Sequence, residues 1–259
     1  MFQNSRPVFA GGVVLKAKML DSVSKYPREL FDILYNRHSN GIITGAQISI
    51  QNKTTICVSK GLIKFNGMLY YMAEDEYIEA SPKMDTQYLR VRFKVKETLT
   101  DEEKLETEFI LDTEITNQEN EIELCRFVLN AGAILRAEYT DLRDYATTHN
   151  TINMLETKYA AIDTPTFNPA FLLEFGRVMN GYKLTNADDI VFTTECIKEE
   201  NIKREIIERY ISKRLGENLK SYSNQEIYRK LIDICDIAKR GETAGGMQGR
   251  MQTRRMIVD

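Results

Sequence analysis

The hydrophobic positions of the chain fall into two regimes. From about Gly41 to Tyr145 apolar residues recur mostly at every second position, and beyond Tyr145 they recur every three to four. A period of two marks a strand with one buried face, and a period near 3.6 marks an amphipathic helix. In the first regime Ile48 and Ile50 are separated from Ile56 and Val58 by the polar turn Gln51-Asn52-Lys53-Thr54, which predicts a strand pair. Asn66-Gly67 lies between Leu62-Ile63-Lys64-Phe65 and Met68-Leu69-Tyr70-Tyr71. Both central residues tolerate the positive φ of a two-residue type I′ hairpin. From Tyr88 to Lys96 the alternation places Leu89, Val91, Phe93 and Val95 on one face and Arg90, Arg92, Lys94 and Lys96 on the other. The expected partner strand is Glu106 to Leu111, with Glu106 and Glu108 opposite the basic side chains and Phe109 or Ile110 entering the core. A further strand is expected from Glu121 to Leu129, broken by Asn130-Ala131-Gly132 before Ala133-Ile134-Leu135-Arg136.

Helical signals flank this region. Tyr26 to Tyr35 predicts a short helix with Pro27 at the first helical position, Leu30, Phe31 and Leu34 on one face and Gly41 just past its end. After Tyr145, the spacing of Ile152, Leu155 and Tyr159 predicts a helix that Asp163-Thr164-Pro165 breaks. Asn168-Pro169 then caps a helix whose Phe171, Leu172, Phe175 and Val178 form a face up to Gly181. Thr185-Asn186-Ala187-Asp188 opens another in the manner of a capping box, with Ile190, Val191 and Ile197 offered for packing. Ile202, Ile206, Ile207, Tyr210, Ile211 and Leu215 make one stripe that Gly216 terminates. Ser223-Asn224-Gln225-Glu226 is a second capping box, opening a helix with Ile227, Leu231, Ile234 and Ala238 inward up to Gly241. The last two helices are expected to pack as a hairpin.

The fold class that follows is α+β: an N-terminal antiparallel β-rich domain preceded by a short helix, then a C-terminal helical domain and a Gly/Arg-containing tail. The expected divisions are 1–40, 41–145, 146–240 and 241–259. At 259 residues such a chain buries its core without metal or disulfide staples. Its four cysteines, Cys57, Cys125, Cys196 and Cys235, lie far apart among apolar neighbours and are expected to be buried reduced thiols. No apolar run approaches the length of a membrane span, and Met1 to Pro7 lacks the order of a signal peptide, so cytoplasmic synthesis and folding are expected. The net charge of -3 is too small to specify an electrostatic partner.

Little chemistry is written into the sequence. Neither His38 nor His149 has the neighbours of a ligand set or a catalytic group. Gly241 to Gly246 approaches a phosphate-binding loop, but Met247-Gln248 follows where Lys-Ser or Lys-Thr is required. Paired CxxC, HExxH and GxSxG motifs are missing. Asp112 to Glu123 carries oxygen ligands at several calcium-loop positions, yet Asn117 stands where glycine is needed, and a polar hairpin turn is the better reading. The basic strip of Arg90, Arg92, Lys94 and Lys96 lacks the interleaved aromatics of a nucleic-acid platform. The expectation is a non-enzymatic chain with no catalytic residue, cofactor, metal, nucleic acid or membrane partner. The Gly-rich tail, with Arg250, Arg254 and Arg255, is expected to order only against a neighbouring subunit, which makes these arginines the candidate partner contacts.

Four motifs taken in order resemble a known family. They are Gly61-Leu62-Ile63-Lys64-Phe65-Asn66-Gly67, Tyr88-Leu89-Arg90-Val91-Arg92-Phe93, Glu123-Leu124-Cys125-Arg126-Phe127-Val128 and Asp141-Leu142-Arg143-Asp144-Tyr145. Their order resembles the N-terminal region of baseplate-periphery proteins, where tail fibres attach, in contractile phage tails and phage-tail-like bacteriocin particles. The resemblance spans roughly residues 41 to 145 and finds no motif in Thr147 to Arg240. It implies a non-catalytic protein present in several copies, as a homo-oligomer or part of a hetero-oligomer. Such a protein joins the baseplate hub and wedges to receptor-binding fibres. It is assembled in the bacterial cytoplasm and then carried on a released particle. Two other readings stay open. One is a carbohydrate or cell-surface-binding module using Tyr70, Tyr71 and Tyr88, and the other is a hydrolase using two converging carboxylates from the 38 acidic residues.

Overall fold

Among the described residues an amphipathic helix comes first, followed by eleven strands and then four helices packed around a second core. The computed structural model describes residues 7–12, 14–94, 97–98, 103–198 and 201–241. The elements in order are α1 (Ala17–Leu34), β1 (Gly41–Gly45), β2 (Ile48–Gln51), β3 (Thr55–Val58), β4 (Gly61–Phe65), β5 (Met68–Met72) and β6 (Glu76–Glu79). Then come β7 (Lys83–Phe93), β8 (Glu97–Thr98), β9 (Glu103–Lys104), β10 (Thr107–Asp112) and β11 (Glu121–Leu129). The helices α2 (Pro169–Asn180), α3 (Ala187–Lys198), α4 (Arg204–Leu215) and α5 (Asn224–Lys239) complete the order, and the fold class is α+β.

Three antiparallel three-stranded sheets, ordered β1-β4-β5, β2-β3-β6 and β10-β7-β11, surround one core. The turn after β2 places Asn52 at φ 57°, and the β4–β5 hairpin places Asn66 and Gly67 at φ 47° and 81°, as their composition requires. Leu89, Val91 and Phe93 on β7 are buried, Phe93 stacking on Phe65 with centroids 4.0 Å apart. In β10, Glu108 pairs with Arg92, and Phe109 is the residue packed against the core. Val95 and Lys96 lie outside the described residues. Backbones approach closely at the start of β4: a Cβ at Gly61 would sit 2.5 Å from the Ala46 nitrogen.

Three helical expectations need correction. The first helix begins at Ala17, nine residues before Tyr26, so Pro27 lies inside it and not at its first position. Met19, Leu20 and Val23 continue the Leu30, Phe31 and Leu34 stripe toward the N-terminus, so one apolar face runs along the helix on both sides of Pro27. The segment carrying Ile152, Leu155 and Tyr159 is extended, not helical. It runs as a ribbon along the sheet lobe, bridging Arg126 to Asn153, Val128 to His149, Arg136 to Thr151 and Ile42 to Tyr159. Its backbone groups satisfy the open edge of β11: Arg126 N–H donates to Asn153 O at 2.9 Å and Asn153 N–H donates back at 2.9 Å. The apparent helical spacing comes from two cores. Ile152 enters the sheet core, Leu155 the helical core, and Tyr159 returns to the sheet core. In α3 the offered residues Ile190, Val191 and Ile197 are exposed, while Asp189, Phe192, Thr193 and Cys196 face inward. The helix is rotated because Asp189 must reach Arg214.

The remaining helices follow their signals. The Asn168 side chain accepts from the N–H groups of Ala170 and Phe171, with Pro169 at the first position of α2. In α3 the cap is Asn186, one residue later than the box expected from Thr185 and Asp188, and it accepts from the N–H groups of Asp188 at 2.8 Å and Asp189 at 3.3 Å. Gly216 ends α4 in the left-handed region, and Ser223 and Glu226 form the capping box of α5. The helices α4 and α5 pack against each other, as expected. All four cysteines are buried free thiols, and burial pushes Cys125 and Cys196 well above the ordinary thiol range.

These contacts predict an order of severity. Ser223→Ala removes one cap and is expected to cost about 1 kcal/mol. Gly61→Ala forces a methyl group into backbone and should cost about 1 to 3 kcal/mol, lowering the urea midpoint further. Equilibrium urea unfolding of both variants measures the order.

Candidate functional site

The residues with the most interactions across the molecule lie where the sheet lobe meets the helical lobe. Asp141-Leu142-Arg143-Asp144-Tyr145 begins this joint, and each side chain has its own task. The Asp141 carboxylate accepts from the N–H groups of Arg143 at 2.8 Å and Asp144 at 3.0 Å, folding the segment into a tight turn that ends in a 3-10 helix. Asp144 then accepts two bonds from Arg136 of the sheet lobe, at 2.5 and 2.7 Å, plus the Thr140 N–H at 2.9 Å. The paired Arg136 guanidinium holds the Asp144 carboxyl far below its usual range, against the opposing effect of burial and with help from the Thr140 N–H.

The neighbouring residues face the other lobe. Arg143 donates to both oxygens of Asp236 on α5 at 2.7 Å, and its carbonyl accepts from the Tyr228 hydroxyl at 2.9 Å. Tyr145 stacks on Tyr139 at 3.8 Å and meets Phe171 of α2 edge-on at 5.2 Å. Burial raises the Tyr145 hydroxyl to about 12. Leu142 enters the helical core beside it. Further along, Thr166 donates to the Ile202 carbonyl and Asn224 donates to the Leu155 carbonyl at 2.7 Å, so the ribbon is tied to α4 and α5 as well.

Two buried charge clusters brace the lobes. Arg90, expected on a cationic face opposite the acidic side chains of Glu106 and Glu108, is 1% exposed and is bound instead by Asp112 and by Glu121 at 2.9 Å. The polar turn between β10 and β11 folds back over that face, and its Asn117 N–H donates to Glu121 at 2.9 Å. Burial alone would raise the Glu121 carboxyl, but the Asn117 N–H, the Arg92 hydrogen bond and the Arg90 charge together hold it below its ordinary value. In the helical lobe Asp189 accepts from Arg214 at 2.9 and 3.1 Å and from Tyr210 at 2.9 Å. Burial and then the Asp189 charge push the Tyr210 hydroxyl far up.

The acidic groups of these clusters are bound to neighbouring side chains. Glu121 and Asp112 do converge, yet on an arginine, and Glu123 is held by Arg126 at 2.6 Å and by Thr116 at 3.0 Å. His38 packs edge-on against Tyr35, and burial followed by the Lys64 charge lowers its pKa. Tyr70, Tyr71 and Tyr88 form no common platform. Tyr70 meets Phe93 at 4.9 Å, Tyr71 is 81% exposed, and Tyr88 lies under Arg126 in another sheet. Among the described residues no group of acidic, His or Cys side chains is placed to hold a metal ion, and no helix is long and apolar enough to cross a membrane. Arg250, Arg254 and Arg255 lie outside the described residues.

Two clefts open between the lobes. One, of about 550 Å3, opens between β1–β2 and α2–α3 and is lined by Ile42, Ile48, Met154, Leu173 and Ile197. The other, of about 490 Å3, is polar and lies between the β10–β11 turn and the starts of α4 and α5. No family model and no curated protein matches the chain. In chain trace it is similar to a crystal structure of TssK, at 10% identity and a TM-score of 0.43, covering 92% of this chain and 69% of that one. A chain of the type VI secretion system TssK-TssF-TssG baseplate subcomplex, solved by cryo-electron microscopy, matches at 12% identity and 0.42, covering 90% and 100%. A chain of the baseplate complex from the type VI secretion system matches at 11% and 0.43, covering 90% and 68%.

The charge clusters carry two predictions. Arg90→Met leaves Glu121 buried without its fully buried partner and should cost about 3 to 5 kcal/mol, read from urea unfolding. The carboxyls of Asp144 and Glu121 lie below their unfolded values. Their stabilisation is therefore complete above an unfolded pKa of about 4 and is lost as pH falls through the folded values. Asp144→Asn should lower stability at neutral pH and flatten its loss on acidification, measured as urea midpoints across the acid range.

Proposed function

We propose that this chain is a non-catalytic structural component of a contractile-tail baseplate, working in several copies between the baseplate body and receptor-binding fibres. The observation that carries the reading is the joint at Asp141–Tyr145. The last of the four family-like motifs is the segment that fastens a strand lobe to a helical lobe through Arg136, Asp236, Tyr228 and Phe171. The other three motifs supply the β4–β5 hairpin, the central strand β7 and the strand β11 that the ribbon covers. A body cross-tied in this way passes a displacement from one lobe to the other, which a load-bearing adaptor requires. The similarity to baseplate proteins lies in the same direction without adding to the argument. In this reading Arg250, Arg254 and Arg255 contact a neighbouring subunit.

Cryo-electron microscopy of native particles from the producing bacterium, with affinity capture of the tagged chain, tests the role. The expected result is density for the chain at the baseplate periphery and co-purified baseplate subunits. Removal of residues 242–259 should reduce that capture. A monomer with no particle partners contradicts the role, and undiminished capture after the truncation contradicts the tail contact.

A further inference from the structure

Two sheets of the sheet lobe end on strands that border the same cavity. β5 is the last strand of the β1-β4-β5 sheet, and β10 is the last of the β10-β7-β11 sheet. Residues of both line a cavity of about 310 Å3 whose apolar wall is made by Ile63, Tyr70, Val91, Phe93, Phe109 and Leu124. Ile63, Tyr70 and Phe109 are only partly buried against the core. A volume at the lower end of the roughly 300–1,000 Å3 of ligand pockets takes a few side chains.

The register of β10 decides which of its backbone groups are free. Lys94 N–H donates to Glu106 O at 2.9 Å, and further along Arg92 lies opposite Glu108 and Arg90 opposite Ile110. In an antiparallel ladder only every second residue exchanges hydrogen bonds with a given neighbour, so Glu106, Glu108 and Ile110 turn their backbone groups toward β7. Thr107, Phe109 and Leu111 turn theirs away, and among the described residues these groups have no hydrogen-bond partner. A row of outward N–H and C=O groups is matched by another extended chain. In a strand added there, side chains opposite Thr107, Phe109 and Leu111 would share the face of Phe109 and enter the cavity. Those between them would lie outside, beside Glu108.

We infer that β10 takes an extended segment of another protein, apolar at alternate positions and basic between them, added as a strand along this edge. Charge decides between the candidates. A second copy's β10 fits poorly in every central register. Antiparallel self-pairing about Phe109 sets Glu106 against Asp112, pairing about Ile110 sets Glu108 against Asp112, and pairing about Glu108 sets that residue against itself. The cavity is lined by two carboxylates, Glu76 and Glu108, and among the described residues by no lysine or arginine. Lys94 and Arg92 reach Glu108 at 3.1 and 3.7 Å, whereas Glu76 meets no cation among the described residues. The acids bar self-association of the edge and admit a basic strand. Strand addition at β10 goes beyond the baseplate role, and binding by the purified chain is measured without reference to particles.

Calorimetric titration of the full chain with a short peptide alternating valine and lysine tests the edge. The expected result is saturable binding that is lost when alternate backbone nitrogens of the peptide are methylated. Replacing its lysines by glutamates should weaken binding about tenfold at low salt. Thr107→Pro removes one outward donor at an exposed position and leaves the hydrogen bonds to β7, so it should weaken binding about tenfold while the cooperative urea transition of the chain is retained. Glu76→Lys, at a second exposed position, should weaken the lysine peptide and strengthen the glutamate one. A lysine peptide that does not bind overturns strand addition, as does binding indifferent to backbone methylation, to Thr107→Pro or to Glu76→Lys. A full chain that forms a dimer abolished by Thr107→Pro assigns the edge to a second copy and also overturns it. So does a peptide that binds only after residues 242–259 are removed, which assigns the edge to the chain's own tail.

Discussion

The structure turns on the half-buried carboxylate of Asp144, which fastens the Asp141–Tyr145 turn to Arg136 at the point where the chain passes from the sheet lobe to the helical lobe. Its bonds to Arg136 fix the end of the sheet lobe, and its position in the turn sets the direction of Arg143 and Tyr145. From that turn the chain leaves as an extended ribbon, and its backbone completes the hydrogen bonding of β11 before it reaches Asn168. Two hydrophobic cores therefore share one covalent and hydrogen-bonded wall. The ribbon alternates its side chains between them, Ile152 to one and Leu155 to the other.

Charge is used here as internal bracing. Arg90 and Arg214 are among the largest fully buried side chains in the molecule, and each is held by carboxylates on another element. Buried ion pairs add little stability relative to well-packed apolar residues, but the loss of one partner is severe, so they penalise alternative registers strongly. A one-residue slip would carry every side chain of a strand to the other face, so register is the property that such pairs protect. The Arg90–Glu121 pair ties β7 to β11 at one register. The Asp189–Arg214 pair sets the rotation of α3 against α4. That rotation turns Ile190, Val191 and Ile197 outward, so an apolar strip of α3 faces solvent beside the cleft between the lobes.

The apolar surface left uncovered is concentrated on α1, with a smaller strip on α3. The body of the protein needs neither for its own stability, since both cores close without them.

Much of this was determined by the sequence itself, because the deciding physics was local. The Asn66-Gly67 turn, the Asn168-Pro169 and Ser223 caps, the Gly216 stop and the alternation along Leu89, Val91 and Phe93 each depend on a few neighbouring residues and took the form their chemistry required. Where a residue answered to distant partners, tertiary structure decided. The spacing of Ile152, Leu155 and Tyr159 has helical period, but a ribbon between two cores produces the same spacing, and only the open edge of β11 selects the extended form. Arg90 belongs to a strip that reads as solvated, and the return of the β10–β11 turn with Glu121 is what buries it. The inward face of α3 followed Asp189 because an unpaired buried arginine costs more than three exposed apolar side chains. The Asp141–Tyr145 motif was visible as a pattern, whereas its task depended on Arg136, Phe171, Tyr228 and Asp236, which only folding brings to it.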